Sequence, residues 1–320
     1  NSTGYMGRTT LRNLLIRSSN VGAVEVASNI IPGSKQASIR EMVESLEDFG
    51  VTTVVTRDQD PKRNDENLSL ALGGMTYGIS PLELTAAYSA ISNAGVYTKP
   101  VFFTRIEDSR GNIILESKAK TRNVMSASNA YILQNMLYGV VNSRQPRGTG
   151  LAARLSNMTT AGKTGTTSDK KDVWFVGMTP YYTAGLWIGS DKPRELPDSS
   201  PMAARLWKKV MDDVHEGLED KPFDKPSNVV SAQVSHTSGL LSNQGYEEFF
   251  KEGTEPSSYS SENQEEELSP EDQDLTGLST EEAPPVENNN QTKTPSKPQS
   301  DGGTKKTLPE PSENIENSLF

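Results

Sequence analysis

Between Thr9 and Ile30 apolar side chains return at helical spacing, at Leu11, Leu14 and Leu15 and then at Val21, Val24, Val26 and Ala27. The polar run Arg17-Ser18-Ser19-Asn20 interrupts that stripe, so the pattern predicts two helical pieces flanking a short polar turn. Ser38 to Phe49 reads as a further helix closed by Gly50, and Gln59 to Asn67 as a charged loop. Ser80-Pro81-Leu82-Glu83 has the form of a capping box with proline at the first helical position, and the helix it opens runs to Gly95. Val101 to Ile106 and Ile113 to Glu116, on either side of Ser109-Arg110-Gly111-Asn112, predict a β-hairpin. Ser126 to Val141 places Tyr131, Leu133, Met136, Leu137 and Val140 on one helical stripe. The period then changes. Strands are predicted around Met158 to Gly165, Val173 to Met178 and Thr183 to Ile188, followed by a helix from Ser200 to His215 with Pro201 near its start. Helices, then consecutive strands, then a helix predict an α+β domain whose antiparallel sheet carries a terminal helix on one face.

Composition divides the chain. The net charge of -10 splits into 27 basic and 24 acidic residues over positions 1–232, against 5 and 18 over 233–320. Beyond about Gly253, Ser, Asn, Gln, Pro, Glu and Thr dominate, and apolar residues are too sparse to offset the entropy of ordering the chain. This division predicts a folded part over 1–222, a short extension over 223–256 and a disordered acidic tail over 257–320. The acidic tail argues against nucleic acid as its partner. The absence of cysteine excludes disulfides, thiolate metal sites and cysteine nucleophiles. No window of about 18 apolar residues is present to span a bilayer. The opening Asn1-Ser2-Thr3-Gly4-Tyr5 has neither an initiating Met nor the pattern of a signal peptide, and reads as the inside of a domain.

Ala161-Gly162-Lys163-Thr164-Gly165-Thr166-Thr167 carries the most chemistry. Gly162-Lys163-Thr164 also ends a phosphate-binding P-loop, but that motif needs glycine five positions before Gly162, and Asn157 stands there. Gly148-Thr149-Gly150-Leu151-Ala152-Ala153 fits the loose dinucleotide fingerprint, yet Arg144-Gln145-Pro146-Arg147 before it cannot be the strand that fingerprint requires. What remains is Lys-Thr-Gly on a strand, a signature that penicillin-binding proteins and serine β-lactamases combine with S-x-x-K and a second serine motif. A cation beside hydroxyls can hold a peptide's terminal carboxylate, and glycine leaves room for a ligand backbone alongside the strand. Ser18-Ser19-Asn20 supplies an S-x-N element upstream, although such a triplet by itself is most often a polar turn or helix cap.

With Tyr5-Met6-Gly7, Thr10-Leu11-Arg12, Ser18-Ser19-Asn20-Val21, Leu72-Gly73-Gly74, Gly78-Ile79-Ser80-Pro81-Leu82-Glu83, Asn93-Ala94-Gly95 and Asp172-Val173-Trp174-Phe175-Val176-Gly177, the chain resembles class A penicillin-binding proteins. The resemblance covers about Gly4 to Gly217, and more faintly Ser238-Gly239-Leu240-Leu241 and Phe249 to Pro256. It departs from the family in one respect: no S-x-x-K precedes Ser18. Ser117-Lys118-Ala119-Lys120 and Ser168-Asp169-Lys170-Lys171 do match that string, but both follow S-x-N and read as exposed loop.

The resemblance implies a serine β-lactamase and penicillin-binding transpeptidase-like fold, an antiparallel sheet flanked by helices, here incomplete at its N-terminus. It implies a serine acyl-enzyme that cross-links peptidoglycan stem peptides ending in D-Ala-D-Ala and is the target of β-lactams. The nucleophile and its lysine would lie upstream, leaving the fragment alone inactive. Catalytic roles fall on Ser18 as proton relay, Asn20 as binder of donor amides and Lys163 as source of positive potential. Thr164, Gly165, Thr166 and Thr167 would line the substrate, the Thr166 N–H serving as an oxyanion donor. Asp172 and Trp174 are expected to be structural. An upstream glycosyltransferase domain and membrane anchor would place the protein on the outer face of the bacterial cytoplasmic membrane. A D,D-carboxypeptidase and a non-catalytic wall-binding scaffold are the competing readings. No metal or organic cofactor is expected, since His215 and His236, the only histidines, lie far apart in sequence and are poor in flanking ligands.

Overall fold

The computed structural model describes residues 6–261, so the acidic stretch beyond residue 261, expected to be disordered, lies outside the described residues. The interrupted stripe at the start becomes two helices, α1 (Leu11–Ile16), capped by Thr10, and α2 (Asn20–Ser28), capped by Ser19. Helix α3 runs Lys35–Asp48, three residues earlier than the periodicity predicts, because Ser34 accepts from the Ala37 N–H and starts the helix there. A single 3₁₀ turn follows at Leu68–Leu72. Helix α4 (Pro81–Ser92) forms with the predicted capping box of Ser80 and Glu83. Helices α5 (Ala127–Asn142) and α6 (Ser200–Val214) also form where the apolar stripes place them.

Between α4 and α5, strand β1 (Val96–Thr98) is followed by the hairpin β2 (Arg105–Glu107) and β3 (Ile113–Glu116), and then by β4 (Thr121–Asn123), which pairs with β1. The hairpin stands where the sequence predicts one, but its first strand begins at Arg105 because Val101 to Thr104 form no ladder. Strands β5 (Ala161–Thr166), β6 (Val173–Met178) and β7 (Thr183–Ile188) form an antiparallel sheet in that order. The predicted first strand is three residues too long at its start, since Met158 to Thr160 approach the sheet as loop. Two further strands, β8 (Val229–Val234) and β9 (Tyr246–Lys251), pair as a hairpin within the segment expected to be an extension. The chain after them stays attached: the Ser260 N–H donates to the Leu241 carbonyl at 2.8 Å.

Helices cover both faces of the three-stranded sheet. Alternation along β6 sends Val173 and Phe175 toward α6, where Trp207 and Met211 meet them, and sends Met178 toward Ile91 of α4 and Leu137 of α5. Burial on both faces explains why β6 reads as a nearly continuous apolar run instead of an alternating one. The sheet is thereby held rigidly behind β5, its edge strand, which carries Lys-Thr-Gly.

Candidate active site

Helix α1 ends in a left-handed residue, the usual way to terminate a helix, but the position that glycine most often occupies holds Ser18, with φ of 51°. The Arg17, Ser18 and Ser19 N–H groups close the helix end on the carbonyls of Asn13, Leu15 and Leu14. A side chain in this conformation costs of order 1–3 kcal/mol, a strain retained where a specific geometry is required. The turn directs the Ser18 hydroxyl toward β5, and Lys163 Nζ donates to Ser18 Oγ at 2.7 Å across 145 positions of sequence. The same ammonium donates to the Thr164 carbonyl at 3.0 Å. Ser19 is committed to capping α2, accepting from the Gly22 N–H at 3.2 Å, while Asn20 stands exposed on the first turn of α2 beside Ser18.

Lys163 is half-buried in β5, and burial pushes its ammonium down to about 8 from an ordinary value of 10.5. The protonated form therefore prevails at neutral pH but is lost through mildly alkaline pH. We expect an NMR titration of the Lys163 side chain to give a midpoint of about 8; a midpoint at 10.5 would show an ammonium in full contact with water.

The remaining residues of the string are placed differently from one another. Thr164 Oγ1 donates to Thr149 Oγ1 at 3.0 Å, and the Thr149 N–H reaches the Ile16 carbonyl of α1 at 3.4 Å. Thr149 thus ties the S-x-N turn to the Lys-Thr-Gly strand, a role that the glycines beside it only hint at. A Cβ on Gly148 would lie 2.2 Å from the Val140 carbonyl oxygen, so that glycine serves close passage over α5, not phosphate binding. Gly165 sits tightly against the β6 neighbour, where an added Cβ would come within 3.1 Å of Trp174 Cβ. Thr166 is exposed at the end of β5. Thr167 Oγ1 accepts from the N–H groups of Lys171 and Asp172, at 3.1 and 3.0 Å, and so shapes the turn into β6.

Asp172 accepts from Trp187 Nε1 at 3.0 Å, and the rings of Trp174 and Trp187 lie 6.1 Å apart, which ties the strands together. The Ser168-to-Lys171 string occupies the β5–β6 turn, and Ser117 to Lys120 lies between β3 and β4; neither is helical. His215 ends α6, its Nδ1 at 2.7 Å from the Met211 carbonyl and its Nε2 at 2.8 Å from Thr179 Oγ1. Among the described residues no cluster of metal-ligating side chains occurs.

A hydroxyl held by a half-buried ammonium, at the mouth of an edge strand whose end carries a free-standing threonine, is suited to relaying a proton and binding a carboxylate. Comparison with known proteins gives the family and the fold. Residues 1–212 match the family described as the penicillin binding protein transpeptidase domain, a match that stops before β8. Penicillin-binding protein 1A of Clostridium botulinum is 36% identical over 266 residues, covering 80% of this chain and 30% of that relative. The chain therefore spans under a third of that relative's length. The crystal structure of penicillin-binding protein 1A from Haemophilus influenzae superposes with a TM-score of 0.67 at 24% identity, over 81% of this chain and 42% of the other. The PonA1 protein of Mycobacterium tuberculosis in complex with penicillin V gives a TM-score of 0.56 at 19% identity, over 68% and 59% of the two chains. With its fold shared by these structures and most of its length matched to the transpeptidase domain, the chain belongs to the penicillin-binding protein family as a transpeptidase domain of class A type.

Proposed function

We propose that this chain supplies two walls of a D,D-transpeptidase site whose nucleophilic serine and its base lysine reside in an upstream S-x-x-K element of a longer protein. The observation that carries the reading is the bond from Lys163 Nζ to Ser18 Oγ, which joins the S-x-N turn to the Lys-Thr-Gly strand. In the proposed cycle the upstream serine attacks the carbonyl between the two D-alanines of a donor stem peptide. The serine proton passes by way of the upstream lysine and Ser18 to the departing nitrogen as the peptide C–N bond breaks, so that D-alanine leaves with a neutral amine and an acyl-enzyme remains. An acceptor amine then attacks the acyl carbon, the ester bond to the upstream serine breaks, and the amine's proton passes by the reverse route to the departing serine oxygen, leaving the amide cross-link and the free enzyme.

Asn20 binds donor amide groups, Lys163 provides the positive field, and Thr164 and Thr166 contact the donor carboxylate. The Thr166 N–H is one oxyanion donor. The free edge of β5 accepts the donor backbone as an added strand beside Gly165, and Thr167 holds the turn that ends it. β-Lactams occupy the same place as donor mimics. The longer protein carries a glycosyltransferase domain and a membrane anchor upstream and works on the outer face of the cytoplasmic membrane; among the described residues no helix is long and apolar enough to cross a bilayer.

The test supplies the longer protein with a D-Ala-D-Ala donor, with and without an acceptor amine. Cross-linked product that depends on the amine supports transpeptidation. Release of D-alanine with only the hydrolysed donor, whatever the amine, would make it a carboxypeptidase, and no turnover would leave a scaffold. Ser18→Gly adds a sharper check, because it removes the hydroxyl while relieving the left-handed strain. Acylation by a β-lactam is expected to fall by about tenfold or more with thermal stability equal or higher. Acylation at the parent rate would remove Ser18 from the mechanism.

A further inference from the structure

Helix α1 has six residues, and a helix so short cannot sustain itself in water, because few hydrogen bonds offset the cost of nucleation. Its C-terminal end nevertheless has to hold Ser18 at hydrogen-bond distance from Lys163. Part of the restraint comes from beyond residue 222, past the point where the match to the transpeptidase domain ends. Arg12, on the first turn of α1 and 8% exposed, donates from Nε to Glu248 Oε2 at 2.8 Å and from Nη2 to the other oxygen of that carboxylate. Glu248 itself is 7% exposed, on β9. Two more N–H groups of Arg12 reach α5, at the Asn135 carbonyl (2.9 Å) and Asn135 Oδ1 (2.7 Å).

Two further bonds join α1 to the same hairpin region. The Tyr246 hydroxyl lies 3.0 Å from Oγ1 of Thr10, the cap of α1, and 3.2 Å from Glu248 Oε2. Asn13 Nδ2 donates to the His236 carbonyl at 3.1 Å. A bidentate guanidinium–carboxylate pair fixes direction as well as distance, whereas apolar packing alone lets a short helix slide or rotate. Burying such a pair brings little net stability, so its value here is geometric.

We infer that the β8–β9 hairpin is a clamp on α1, with Arg12 and Glu248 as positioning residues that set the Ser18 turn against Lys163. This rests on the reading of Ser18 and Asn20 as parts of the transpeptidase site. The segment after residue 222 is then a working part of the site and not an appendage. A shift of about 1 Å at a reacting group can slow chemistry a hundredfold, so a modest loosening of α1 is enough to register.

The experiment is made on the longer protein with a chromogenic β-lactam, separating the acylation rate constant from the preceding binding constant. Glu248→Gln keeps size, Arg12→Lys keeps charge, and each loses the two-point pairing; the acylation rate constant is expected to fall about tenfold while binding changes less than about twofold. Backbone amides of Ser18 and Ser19 are expected to exchange with solvent at least about tenfold faster. Since either single variant leaves a buried group without its partner, the deciding variant is Arg12→Met combined with Glu248→Leu, which removes both charges at similar volume and is expected to melt no lower than the parent. It should show the same slow acylation and fast exchange. Parent-like acylation and exchange in that double variant would overturn the clamp. Ser18→Gly, run alongside, separates the two readings: if it acylates at the parent rate the site reading fails and takes the clamp's catalytic role with it. A slow Ser18→Gly beside an unaffected double variant overturns the clamp alone.

Discussion

Lys163→Ala in the complete transpeptidase is expected to slow acylation by a β-lactam by at least about a hundredfold, the scale of losing one electrostatic contributor at a transition state. The substitution removes both the charge near the donor carboxylate and the donor that holds Ser18 Oγ at 2.7 Å. Stability should not fall with it. Because burial lowers the folded-state value to about 8 from 10.5, the unfolded chain binds the extra proton between those values. The contribution of Lys163 to stability therefore improves as pH rises through that window and is least favourable below it. At neutral pH the buried ammonium is a cost, so Lys163→Ala is expected to melt close to the parent, and a slow acylation at unchanged melting temperature is then a loss of chemistry and not of fold. Lys163→Arg should recover part of the rate, since it keeps the charge but puts a wide planar fork where a compact ammonium bridges Ser18 and the Thr164 carbonyl. Thr166→Val, which loses a hydroxyl and keeps its backbone N–H, should give the smallest defect of the three. Stopped-flow acylation rates test the order, and a parent-like Lys163→Ala would remove the strand from the site.

Trp207→Ala is expected to cost about 3–5 kcal/mol of stability, the range for emptying a large aromatic site in a packed core. Trp207 is 1% exposed, meets the Phe175 ring edge-on at 5.0 Å and donates from Nε1 to the Ala184 carbonyl at 2.9 Å. It reaches into space left by Gly177, where a Cβ would lie 2.6 Å from its ring. Truncation thus opens a cavity between α6 and the sheet and takes a hydrogen bond from β7. Trp207→Phe should lose less, retaining part of the ring contact. Urea denaturation of both variants measures this, and a loss below about 1 kcal/mol for Trp207→Ala would show that α6 is not what anchors the sheet behind Lys163.

The parts of this fold legible in the sequence are those whose signals are local. The Ser80, Pro81 and Glu83 cap announces α4, and the apolar run of β6 announces a strand buried on both faces. Strands β1 and β4 are not legible, because three-residue strands have no period to read and their pairing depends on the excursion between them folding back. Strand β9 is hidden by Glu248, a charge at an inward position whose burial makes sense only beside Arg12, 236 positions away. At the site, residue spacing excluded the P-loop, and family resemblance brought Ser18, Asn20 and Lys163 together. The contact itself could not be read from either triplet, since it depends on the left-handed turn at Ser18 and on Thr149 linking α1 to β5.

The central claim is that Ser18 and Lys163 face one another across a site that holds an acylated donor. A crystal structure of the complete protein reacted with a penicillin tests it most directly. The account predicts an ester to an upstream serine, Ser18 Oγ and Lys163 Nζ still paired beside it, and the penicillin carboxylate in hydrogen-bond contact with Thr164 or Thr166. A penicillin bound covalently elsewhere, or lodged with its carboxylate away from β5, would contradict it.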